Sequence, residues 1–312
     1  MLPVVYGLKR GAADGFGALP VLAIVLGVAV GLVFLRRLRT AADPLIDLGL
    51  FRDRGFSGAI TVNTLVMFAT IGFVLFSTQY LQSVLGLSPL TAALWCLAPS
   101  VLIGASAAGA AALARRYSRV RVISGGFVVA VAGFAVLARI GTDSPLWLAL
   151  GGVTLTNLGM VAAMSLVADL ALGTVPPARA GSAAALLESS QEFGGALGTA
   201  VLGTIGTAVY RARVTGALPP GTPPAARETI SGALGVAAQL PGQAGELVTH
   251  LARTAFTSGL HVAALAGAVT MVLGAVITPV LLRGVRPATD EAATNEPPAD
   301  RPAEVEPLAA AG

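Results

Sequence analysis

The sequence predicts an all-α integral membrane protein of about seven transmembrane helices, and three observations carry that expectation. First, 55% of the 312 residues are hydrophobic and only 12% are charged, whereas soluble domains are about 45–50% apolar and about 25% charged; the mean hydropathy is +0.79. Second, the apolar residues gather in runs long enough for a helix to cross a hydrocarbon core of about 30 Å. Third, those runs do not alternate polar with apolar, so they do not read as β-barrel strands. Aromatics are only 5% of the chain, so the apolar mass is mostly Ala, Val, Leu and Gly. Small residues suit helices that pack in lipid by close backbone approach.

The runs fall at about 18–35, 57–81, 90–113, 122–140, 146–171, 180–210 and 259–282. The first ends on Arg36 and Arg37, and the second follows Arg52 and Arg54. The third opens after Pro89 and ends before Arg115 and Arg116. The fourth follows Arg121, and Pro176-Pro177 separates the fifth from the sixth. The seventh stops at Arg283. If the end of the first run is cytoplasmic, that side holds 13 of the 20 Lys and Arg residues: 36, 37, 39, 52, 54, 115, 116, 119, 121, 179, 283, 286 and 301. The other side holds seven, four of them in the long segment 211–257, where charge weighs less. This topology leaves the C-terminus cytoplasmic. It also accounts for the pI of about 9.8 without nucleic acid, for which no aromatic-interleaved basic patch is present.

Segment 211–257 opens on Pro219-Pro220-Gly221-Thr222-Pro223-Pro224 and continues as two amphipathic stretches, about 225–239 and 243–256, split by Pro241-Gly242. It is expected to form a helical hairpin on the outer surface. Residues 284–312 are rich in Pro, Ala and acids and are expected to stay disordered. Lys9 and Arg10 follow an apolar stretch instead of preceding it, which is not the pattern of a signal peptide. Cys96 is the one cysteine, and His250 and His261 are the two histidines. That set supports neither a disulfide nor a metal motif.

Several stretches in order carry a resemblance. Ala42-Asp43-Pro44-Leu45-Ile46-Asp47-Leu48 precedes Leu50-Phe51-Arg52. Gln79-Tyr80-Leu81-Gln82 leads into Leu85-Gly86-Leu87-Ser88-Pro89. Pro176-Pro177-Ala178-Arg179-Ala180-Gly181 precedes Glu188-Ser189-Ser190-Gln191-Glu192-Phe193-Gly194-Gly195-Ala196-Leu197-Gly198. Phe256-Thr257-Ser258-Gly259-Leu260-His261 opens the last run. Together they resemble the C-terminal portion of the fourteen-helix drug:proton antiporter family of the major facilitator superfamily. The loop Arg115-Arg116-Tyr117-Ser118-Arg119-Val120-Arg121 resembles that superfamily's cytoplasmic loop signature and departs from it at Arg115, where Asp is usual, and at Ser118, where Gly is usual.

The resemblance implies a domain plan. Residues 1–17 look like an outer-side remnant of a preceding helix, and 18–56 like an inserted helix with its cytoplasmic basic linker. Residues 57–283 look like the second six-helix bundle, followed by the tail. The first six-helix bundle is absent, and a separately encoded one is a possible partner.

Of the 16 acids, only Asp169, Glu188 and Glu192 lie within apolar runs. Glu188 and Glu192 share one helix face by their spacing of four. A carboxylate in the bilayer costs roughly 2.5–3.5 kcal/mol, and binding a proton lowers that cost. Two such groups so close titrate as a pair. They are the candidate proton-coupling groups, with Asp169 as a third; the alternative is an ionised, structural role near a water-filled mouth. The resemblance implies a central cavity bordered by Asn63, Gln79, Tyr80, Gln82, Trp95, Asn157, Met160 and Gln191. Polar, aromatic and thioether groups of this kind suit lipophilic cations; ordinary helix packing is the alternative for each. Arg115, Arg116, Arg119 and Arg121 are the candidate cytoplasmic gating loop. Gly194 and Gly198 form a small-xxx-small face that means close helix packing.

The expected function is proton-coupled export of amphipathic, cationic small molecules across the cell membrane. The alternative is a non-transporting fragment, or a half-transporter that needs its N-terminal bundle. No cofactor is expected, since no phosphate-binding loop is present. No enzyme is expected either, since no Ser–His arrangement, metal-ligand cluster or paired-Asp motif is found.

Overall fold

The computed structural model describes Gly7 and residues 17–40, 48–218 and 222–282. Most of the expected remnant at 1–17, residues 41–47 of the basic linker, Pro219-Pro220-Gly221 and the tail from 283 onward lie outside the described residues.

Among the described residues all regular structure is helical. α1 is Ala18–Thr40, α2 Arg54–Gln79, α3 Pro89–Arg116, α4 Arg119–Leu137, α5 Leu146–Gly173, α6 Ala180–Thr215, α7 Ala225–Glu228, α8 Ile230–Ala237 and α9 Gln243–Leu281. α2 continues into a wider π-helical turn, Tyr80–Val84. Local chemistry sets the starts. The Asp53 carboxylate accepts from the Phe56 amide at 2.8 Å, and the Ser88 hydroxyl accepts from the Thr91 amide at 3.2 Å, with Pro89 at the first helical position. Each satisfies a donor the helix itself leaves free. α3 ends on Arg115 and Arg116, cations placed where the helix dipole is negative.

The long helices run up and down, so one end of the bundle carries the Arg115–Arg121 loop. The opposite end carries α7 and α8. α2 packs most closely on α6, and α4 on α5. α9 lies against α4, α6 and α2, while α3 rests chiefly on α5. The tight seams are built on missing side chains. A Cβ on Gly194 would lie 2.5 Å from the Thr64 carbonyl oxygen, and one on Gly198 would fall on the carbonyl of Phe68. In lipid, where water supplies no driving force between helices, such backbone contact is what holds them. Aromatic rings fill the wider gaps: Phe73 of α2 meets Phe134 of α4 edge-on with centroids 5.1 Å apart.

Among the described residues six helices are long and apolar enough to cross a membrane, and a shorter apolar helix, Val21–Val33, lies within the 23 residues of α1. The course of the chain after α6 departs from the expected one. The two arms of the outer hairpin are helical and pack on each other, α8 against the start of α9, but the hairpin is not separate from the last span. Its second arm, 243–256, is the first part of α9, which runs unbroken for 39 residues. Its first arm divides into α7 and α8 at Thr229, whose hydroxyl caps α8 by accepting from the Gly232 amide.

α3 stands apart from the other spans. Only 6% of its most apolar stretch is buried, against 39–50% in the other five. Trp95, Leu97, Val101 and Leu102 all lie open on it.

Candidate functional site

The seam between α2 and α6 brings the most sequence-selected residues together. Asn63 is fully buried there. Its amide donates to the Ser190 hydroxyl at 2.8 Å and to the Leu187 carbonyl at 3.3 Å. Ser190 in turn donates to the Leu187 carbonyl at 2.7 Å. The Asn63 Oδ1 atom is buried with no partner among the described residues. Asn63 thus staples α2 to α6, and its side chain is enclosed between them.

Glu188 and Glu192 flank this staple on α6, one turn apart. Both are exposed, while Leu187, Ser190, Gly194 and Gly198 of the same helix are buried. The helix is thus two-sided: glycine and the serine face α2, and the acids lie off that seam. Gln191 is half-buried between the two acids in sequence. Counting from Ala180, Glu188 and Glu192 stand about 12 and 18 Å into the helix, between the bundle end and its middle. Asp169 is also exposed, near the Gly173 end of α5.

The remaining selected residues do not converge on one place. On α5, Met160 is buried, and its sulfur receives the Thr70 hydroxyl of α2 at 3.0 Å. Asn157 is half-buried, and its amide turns back to the Val153 carbonyl of its own helix at 2.9 Å. Gln79, Tyr80 and Gln82 lie about 25 Å along α2 from Asn63 by helical rise. There Tyr80 is buried and donates to the Gly141 carbonyl at 2.6 Å. Trp95 is 53% exposed on α3. Arg115, Arg116 and Arg121 are exposed, and Arg119 is half-buried.

A second cluster at the far end escaped the sequence reading. The Ile140–Gly141 turn after α4 is held from two sides, by Tyr80 of the α2 extension and by His261 of α9. His261 Nε2 lies 2.7 Å from the Ile140 carbonyl, so that nitrogen carries the hydrogen. Arg253 Nε of α9 donates to the Ser83 carbonyl at 3.1 Å. His261 stands in the sequence at the start of the last apolar run; its partner, 121 residues away, could not be read there.

Long apolar helices in up-down order, joined by glycine seams and carrying an acid pair on one of them, define a multi-pass membrane bundle of the transporter class. The chain belongs to the Major Facilitator Superfamily, whose family model matches residues 10–199. Among characterised relatives, it is 34% identical over 287 residues to the multidrug efflux pump LfrA of Mycolicibacterium smegmatis, covering 91% of this chain and 56% of that protein. It is 34% identical to the puromycin resistance protein pur8 of Streptomyces alboniger, over 74% of this chain and 46% of that one. The methyl viologen resistance protein SmvA of Salmonella typhimurium is 30% identical, over 88% and 56% respectively. The chain therefore spans about half the length of the curated relatives it matches. The fold is also that of a solved transporter structure, a bacterial homologue of the human lysosomal transporter Spinster, inward-facing and unoccupied. There the TM-score is 0.56 at 15% identity, covering 91% of this chain and 65% of that one.

Proposed function

We propose that this chain forms the second-half bundle of a proton-coupled exporter of amphipathic, cationic compounds. The observation that carries the reading is the exposed acid pair, Glu188 and Glu192, one turn apart on a helix whose other face is sealed against α2. An anionic patch below the membrane surface binds either protons or an organic cation, and competition between the two is the exchange an antiporter needs. The relatives' names support the chemical class, since methyl viologen is an aromatic dication. In this reading the Arg115–Arg121 end faces the cytoplasm, in keeping with its excess of arginine. The acid pair looks toward a first bundle, against which the half shown would rock.

The test is transport with both halves present, driven by an imposed pH gradient. Glu188→Gln with Glu192→Gln is expected to abolish gradient-dependent efflux of methyl viologen. Undiminished efflux by that variant across several pH values would remove the acid pair from the mechanism. A second reading, a half that transports nothing alone, follows from the half-length match. The intact mass of the protein in its native membranes separates the two: a mass near 31 kDa with no flux in proteoliposomes supports the second.

A further inference from the structure

An open groove of about 580 Å³ runs between α3 and α4. Though consecutive, these two helices scarcely touch, because each packs on α5 instead. Leu158, Gly159 and Ala162 of α5 form the floor. Ala105 and Gly109 of α3 and Gly125 of α4 keep the walls low. Gly109 and Gly125 differ in kind from the seam glycines. A Cβ on either meets nothing within 4 Å, whereas one on neighbouring Gly126 would lie 2.7 Å from the Gly159 carbonyl oxygen. Helix contact thus explains Gly126 and leaves Gly109 and Gly125 facing empty space.

The groove is apolar along its length and charged at one end only. The hydroxyl of Ser106, which lines it, is already spent on the Ile103 carbonyl at 2.6 Å. Tyr117 and Arg121 close the end that carries the basic loop, and no carboxylate lines it among the described residues. Arg121 is exposed, and its guanidinium has no partner among the described residues. From Leu102 to Tyr117 the wall measures about 22 Å by helical rise. That reaches from an interface past the depth of one leaflet, roughly 15 Å of hydrocarbon.

An apolar slot one leaflet deep, with a guanidinium at its interfacial end, matches a phospholipid that carries net negative charge. We propose that the α3–α4 groove binds one anionic phospholipid, with an acyl chain along the slot and its phosphate on Arg121. Guanidinium meets phosphate bidentately, and basic pockets between transmembrane helices favour anionic headgroups. The bound chain supplies α3 with the packing that α4 does not. The inference needs only a membrane-embedded bundle; it does not depend on what is transported or in which direction.

The test uses the full chain, purified in mild detergent, stripped of lipid and titrated with phosphatidylglycerol or phosphatidylcholine. Bound lipid is counted by native mass spectrometry. Phosphatidylglycerol is expected to be retained in preference to phosphatidylcholine. Arg121→Gln is expected to weaken phosphatidylglycerol about fivefold, the effect of one interfacial arginine, and to leave phosphatidylcholine unchanged. Gly125→Leu puts bulk into the slot at a position where an added Cβ meets no neighbour and is expected to remove both lipids. Gly151→Leu adds the same bulk at an equally open position on α5 outside the groove and should bind as the parent does. Equal retention of the two lipids by the parent, or unaltered phosphatidylglycerol binding in Gly125→Leu, overturns the proposal. So does a disulfide in membranes between Gly125→Cys and Val28→Cys, which would put α1 in the groove.

Discussion

Adding one methyl group at Gly198 is expected to pry α2 from α6. The built Cβ lies on the Phe68 carbonyl, 2.7 Å from its carbon and 2.9 Å from Cα, where ordinary contact begins near 3.4 Å. Neither side can yield by turning a side chain, because the obstructing atoms are backbone and the facing residue on α2, Gly72, has none to move. The helices must therefore separate by about 1 Å along the seam that also holds Asn63 and Ser190. Overpacking of this kind costs about 1–3 kcal/mol, and a rigid obstacle places it near the top. Replacing glycine by alanine in a helix returns about 1 kcal/mol, which leaves a net loss of about 2 kcal/mol for Gly198→Ala. Gly203 on the same helix has nothing within 4 Å of its Cβ, so Gly203→Ala keeps only the propensity gain. The two variants should differ by about 3 kcal/mol in reversible unfolding in mixed micelles, followed by far-ultraviolet circular dichroism. Equal stability of the pair would refute the backbone-contact account of this seam.

Other expectations follow from single contacts. Gly86 adopts φ +72° in the turn between α2 and α3; Gly86→Ala should cost about 1–2 kcal/mol, with Gly86→Asn recovering part, read in the same unfolding assay. Tyr80→Phe removes the bond to Gly141 and should cost about 0.5–1.5 kcal/mol. Its mark should be faster amide exchange confined to the 138–145 turn. Asn63→Ala should lose about 0.6–1.7 kcal/mol for the interhelical hydrogen bond plus a packing term. A double-mutant cycle with Ser190→Ala isolates the coupling, and a coupling of zero would contradict the staple.

Much of the fold was legible because proline, arginine and glycine punctuate the apolar runs at their ends. Pro89, Arg115 and Arg116 mark α3 in sequence and in structure alike. The last helix was read in two pieces because its first part, 243–256, is amphipathic and only its second part, from about 259, is an apolar run. Between them Gly259 places its Cβ position 2.9 Å from the Gly206 carbonyl oxygen. It serves close approach in the middle of one continuous helix. The first run, about 18–35, lies wholly within the helix Ala18–Thr40. For the site, the spacing of Glu188 and Glu192 could be read directly, as could the glycine face at Gly194 and Gly198. What periodicity could not give was the partner of Asn63, since Ser190 lies 127 residues away. Nor could it separate Asn63 from Tyr80, because one helix carries both at opposite ends.

The unbroken course of α9 has a mechanical consequence. Thirty-nine residues make a rod of about 58 Å, nearly twice the hydrocarbon thickness of about 30 Å. Its first turns, near Glu246, stand past the end of α2, while its last turns are wedged against Gly58 through Leu281 and Leu282. Such a rod is a lever with a built-in pointer. A tilt of about 5° within the bilayer would sweep its tip by about 5 Å over a rod of that length, a displacement within reach of a distance-sensitive spin or fluorescent label at Leu247. The part of the molecule buried in lipid can thus be watched from a surface that no reagent has to enter the membrane to reach.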